Sequence, residues 1–132
     1  MKKLLLTCLL VAVLVLSGCE GMLPFSSPLD PPSWTQGTWE LEVGDTLISS
    51  LVFSSDNVVW VSSAIGFNFK QLAQQSGINI TDRNLTATSY QITMSGSGET
   101  ETLTFVLVSS ATLNMTLNSS GVIVNVDGFV KQ

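Results

Sequence analysis

From Trp39 to the C-terminus, apolar residues recur at every second position. Trp39, Leu41 and Val43 are separated by Glu40 and Glu42, and Tyr90, Ile92 and Met94 by Gln91 and Thr93. Leu103, Phe105 and Leu107 follow, then Leu113, Met115 and Leu117 with Asn114 and Thr116 between them, then Val122, Val124 and Val126. A period of two puts one row of side chains in a core and the other in water, which is how a half-buried β-strand reads. Turn residues punctuate the rows: Gly44-Asp45, Ser55-Asp56-Asn57, Ser95-Gly96-Ser97-Gly98, Ser109-Ser110-Ala111 and Asn118-Ser119-Ser120-Gly121. Turns this closely spaced pair sequence neighbours antiparallel. The pattern predicts an all-β, antiparallel up-and-down meander of seven or eight strands. It should curl into a small barrel, because open edges recruit other chains.

One stretch departs from alternation. Ile65, Phe69, Leu72 and Ala73 lie at helical spacing, Asn68 is placed to cap a start, and Gly77 to end it. This predicts a short helix near residues 67–76. Two turns are marginal alone, so it should pack on the sheet or over a barrel mouth. Residues 78–88 read two ways: Ile78 and Ile80 alternate, but Asp82-Arg83-Asn84 is also a turn signal. Residues 58–61 are apolar on both faces, so either the helix covers Trp60 or Trp60 marks an exposed contact patch.

Before the alternation lies a different pattern. Lys2 and Lys3 precede an aliphatic run from Leu4 to Leu16, interrupted only by Thr7 and Cys8. A basic start and a short apolar run make a secretory signal. The run of about 13 residues is too short to span a hydrocarbon core of about 30 Å. It ends in Leu16-Ser17-Gly18-Cys19, which resembles the lipobox of bacterial lipoproteins. The resemblance implies cleavage between Gly18 and Cys19, a diacylglyceryl group on the Cys19 sulfur, and often a further acyl chain on the new amine. It also implies a bacterial cell envelope location. Residue 20 is Glu rather than the Asp that retains many such lipoproteins at the inner membrane, which favours the outer membrane.

The chain thus divides into a signal peptide (1–18), a lipidated tether (19–33) and a β domain (34–132). All four prolines fall between residues 24 and 32. At a polyproline rise of ~3.1 Å per residue, such a tether of about 14 residues reaches at most about 40 Å.

Composition narrows the partners. The formal net charge is −5, and loss of Lys2 and Lys3 makes it more negative. The remaining cations, Lys70, Arg83 and Lys131, are scattered and cannot form a phosphate-tracking stripe, which excludes nucleic acid. The same charge repels anionic headgroups, so the acyl chains must supply the membrane contact. Cys8 leaves with the signal and Cys19 carries lipid, so no disulfide supports the fold.

Trp34 and then Gly37-Thr38-Trp39 precede the first predicted hairpin. This is similar to the Gly-x-Trp signature that opens the first strand of lipocalins. The resemblance implies a lipocalin-like barrel plugged at one end by Trp39. It also implies a late arginine against that tryptophan, which this chain lacks; its one arginine, Arg83, lies mid-chain.

Candidate chemistry is sparse. The chain has no histidine, which removes imidazole bases and imidazole metal ligands. No phosphate-cradling loop opens a helix, and no cofactor is expected. Glu40/Glu42 and Glu99/Glu101 are spaced i, i+2, so each pair should project from one strand face. Carboxylate pairs can hydrolyse glycosides across a cleft, but beside buried strand residues they read as solvated outer faces. No enzyme and no metal are expected. Trp39, Tyr90, Phe105 and Met115 should point inward, either lining a small apolar pocket or filling a solid core. The corresponding functions are binding of a small hydrophobic ligand, or a structural role with an envelope protein as partner.

Overall fold

The computed structural model describes residues 27–63 and 65–132. Cys19, the Gly18–Cys19 cleavage site, the signal peptide and most of the tether lie outside the described residues. The strands are β1 (Gly37–Val43), β2 (Thr46–Phe53), β3 (Val58–Ser62), β4 (Ile65–Asn68), β5 (Asn79–Thr86), β6 (Ser89–Gly96), β7 (Glu99–Ser109), β8 (Thr112–Ser119) and β9 (Val122–Lys131). One short helix, α1 (Phe69–Leu72), follows β4. All nine strands form one antiparallel sheet in the order β4-β3-β2-β1-β9-β8-β7-β6-β5, curled into a half-barrel.

Every pairing but one joins sequence neighbours. The exception is β1 with β9, matched only at Trp39↔Lys131 and Glu40↔Val130. Register defines two ends. At the base lie Gly37↔Phe53, Phe53↔Val58, Ser109↔Thr112 and Thr86↔Ser89. At the rim lie Val43↔Thr46, Ser62↔Ile65, Gly96↔Glu99 and Ser119↔Val122. The rim turns at Ser97-Gly98 and Ser120-Gly121 hold positive φ at both residues, as two-residue hairpins of a right-twisted sheet require.

The alternating rows become the concave face. Trp39, Leu51, Phe53, Tyr90, Ile92, Leu103, Phe105, Leu113, Met115 and Phe129 are all buried there. Trp39 lies at the base under the turn Pro32–Gln36, and its indole N–H donates to the Thr35 carbonyl at 2.6 Å. Lys131 places its ammonium 5.1 Å from the centre of the Trp39 ring.

Two expectations shift. Nine strands form rather than seven or eight, because Ile65–Asn68 is a strand. Phe67 pairs across from Trp60 and stacks on it, with ring centres 5.6 Å apart, so sheet pairing wins over helical spacing. The helix keeps its Asn68 cap, whose side chain accepts from the Gln71 N–H, but runs only four residues before turns that reach Gly77. Asp82-Arg83-Asn84 lies within β5 rather than in a turn. Its polar side chains have partners: Asp82 accepts from the Tyr90 hydroxyl at 2.7 Å, and Arg83 Nε donates to Gln91 at 3.1 Å.

At the tether the alternative to a free spacer holds, in which Leu29 packs on the domain. Leu29 and Pro31 are buried against the domain, and the Asp30 N–H donates to Asp82 at 2.7 Å. The last residues of the tether are therefore a strap on the open flank of the half-barrel. The residues after α1 complete that flank. The Gly77 carbonyl approaches Gly96 so closely that an added Cβ there would lie 2.8 Å from it. Gly96 is thus fixed by contact, and any side chain at that position must displace the segment that leads from α1 into β5.

Candidate functional site: an apolar groove at the rim

The concave face is filled at the base and open at the rim. Phe53 meets Phe105 and Tyr90 edge-on at 5.0 and 6.5 Å, and Tyr90 stacks on Phe105 at 6.1 Å. Trp39, Tyr90 and Phe105 are wholly buried and Met115 is 1% exposed. The four residues singled out as pocket or core are therefore core, and they wall off the base.

Tyr90 carries a testable consequence. Burial pushes its hydroxyl far above the ordinary tyrosine range, and the acceptor Asp82 reinforces the shift. The unfolded chain ionises its tyrosine near pH 10 while the folded one stays protonated, so stability should fall from about pH 10 upward. Tyr90 is the one tyrosine of the chain. Tyrosinate absorbance should therefore appear only together with unfolding, and Tyr90→Phe should flatten the alkaline loss. Reversible titration near pH 10 with the fold intact would contradict this placement.

Toward the rim the same rows no longer meet a full complement of partners. Trp60, Phe67, Phe69, Met94, Leu103 and Leu117 line an apolar cavity of about 250 Å³. A neighbouring cavity of about 270 Å³ is bounded by Ile78, Gly96 and Glu99 and shares Met94 and Glu101 with the first. Each lies just under the ordinary range for small-molecule sites. Inward-facing Ile65, Val122 and Val124 extend the apolar surface outward, each roughly half exposed or more.

The aromatic wall is held in place. Trp60 stacks on Phe67, and Phe67 lies over Phe69 at 6.5 Å. The Trp60 indole N–H donates to Ser49 Oγ at 2.9 Å, and that hydroxyl donates to the Val61 carbonyl at 3.0 Å. Ser49 is thus a buried polar residue with both roles occupied, and it fixes the indole edge. Phe69 is anchored by the cap at Asn68, by Asn57, which accepts from the Lys70 N–H, and by the Lys70–Asp56 ion pair. That lysine holds the Asp56 carboxyl below its usual range.

Only one carboxylate pair departs from the solvated outer face expected of both. The irregularity between Leu41 and Glu42 skips Ile48 of β2 and inserts nothing into β1, so Glu40 and Glu42 keep the i, i+2 alternation of one strand face. Glu99 and Glu101 also share a face, but it is the concave one: both border the rim cavities, and Glu101 accepts from Ser119 Oγ at 2.7 Å. Among the described residues, no group of three or more potential ligands could hold a metal ion.

Trp60 was legible as unusual in the sequence, because its strand is apolar on both faces. Phe69 was named on the helix's apolar stripe and is buried in α1, Phe67 was hidden by the helical reading of residues 67–76, and Met94, Leu103 and Leu117 read only as generic inward positions. Comparison with protein-family models, curated proteins and solved structures finds no match to this chain.

Proposed function

We propose that this chain is an acyl-anchored lipoprotein of the bacterial envelope whose lipocalin-like domain is a non-catalytic binding module for a small hydrophobic ligand. The observation that carries the reading is the apolar rim groove walled by stacked Trp60 and Phe67, with Phe69 beneath them. Half-exposed aromatics held rigid by Ser49 and the α1 cap cost little ordering entropy when a ligand arrives. The lipobox-like Leu16–Cys19 supports the anchor, and Glu20 favours the outer membrane. Likeness to lipocalins is supported by Trp39 at the base of β1 and by Lys131 over its ring, a cation in the role of the family's late arginine. The strap lies on the flank and base, so an anchor at Cys19 leaves the rim clear of the described N-terminal residues.

Native mass spectrometry of the full chain carrying Cys19→Ser tests the reading without interference from its own acyl chains. A non-covalent hydrophobic adduct on the domain is the expected result. A bare domain that also ignores added octyl glucoside would favour the second reading, a structural role with an envelope protein. That alternative draws support from the solid base and from exposed Val122, Ile123 and Val124 on β9.

A further inference from the structure

The rim groove has a sign as well as a shape. Glu101 is half-buried on its wall, beside Met94, Leu103 and Leu117, and Glu99 borders the adjoining cavity from the same strand face. Glu42 and Asp45 stand at the same end, on the β1–β2 hairpin. The cations of the described residues are elsewhere. Lys70 is paired with Asp56 at the β2–β3 turn, Lys131 lies over Trp39 at the base, and Arg83 donates to Gln91 across β5 and β6. A carboxylate edged by apolar side chains is attracted to a cation more strongly than one in open solvent, because the local dielectric is lower.

We propose that the groove selects a hydrophobic cation: an amphiphile whose aliphatic tail lies against Trp60, Phe67 and Leu103 and whose ammonium head sits at Glu101. The proposal rests on the groove being the ligand site and adds the charge of the ligand. It makes the acidic residues of β7, which an outer-face position would leave idle, the selectivity element of the site.

Three probes with the same eight-carbon tail, kept below micelle formation, separate the two claims: octyltrimethylammonium, octyl glucoside and octyl sulfate. Titrated into the full chain carrying Cys19→Ser and followed by tryptophan fluorescence, the ammonium should bind about tenfold tighter than the sulfate, with the glucoside between. Added salt should weaken the ammonium and leave the glucoside unchanged. Glu101→Gln should bring the ammonium to within about twofold of the glucoside. Should Glu101→Gln disturb folding, Glu99→Gln should reduce the preference in the same direction by a smaller factor. Equal binding of all three probes, or preference for the sulfate, overturns the cation proposal and leaves the hydrophobic site standing. Failure of every probe overturns both.

Discussion

Trp39→Ala should lower folding stability by about 3–5 kcal/mol, the largest loss expected of any single truncation in the domain. The indole is wholly buried at the base, its N–H is bonded to Thr35, and Lys131 covers one face. Removing it leaves a cavity among residues that cannot collapse into it. The strap turn Pro32–Gln36 is held by its own backbone bonds, and Phe129 and Leu51 belong to paired strands. The change also orphans the Thr35 carbonyl in a buried position. Denaturant unfolding should show a lower midpoint with an unchanged slope. A loss below about 1 kcal/mol would mean that the tryptophan does not plug the base and that the Gly-x-Trp resemblance is accidental.

Cys19→Ser should move the protein from the membrane to a soluble or precursor pool while leaving the melting of the domain unchanged. One acyl chain gives only marginal binding, whereas two or three hold a protein stably, so loss of the acceptor sulfur removes nearly the whole membrane affinity. The acidic domain offers no electrostatic substitute. Fractionation at high salt with N-terminal sequencing reads the result. A variant that has lost its signal yet stays with the membrane would sink the anchor.

Much of the architecture was readable because it depends on local pattern. The rows of β6, β7 and β8 appear as written, Asn68 caps α1, and the hairpin turns fall at their glycines and serines. What was not readable depended on partners distant in sequence. Phe67 joins a strand because Trp60 is opposite it, and Asp82 stays in β5 because Tyr90 and Asp30 donate to it. The face of Glu101 followed from the row of Leu103 and Phe105, and reading charge as automatically outward concealed it. The groove itself was invisible, since its walls come from β3, β4, α1, β6, β7 and β8 and its shape is a property of their curvature.

The two-pair match between β1 and β9 has a kinetic meaning. Every other ladder closes a short stretch of chain and can form early, whereas this one must bring together positions nearly a whole domain apart. The two arcs, residues 37–68 and 79–131, are thus expected to mature separately and weld last. A nascent chain would expose the raw edges of both until Lys131 emerges to meet Trp39.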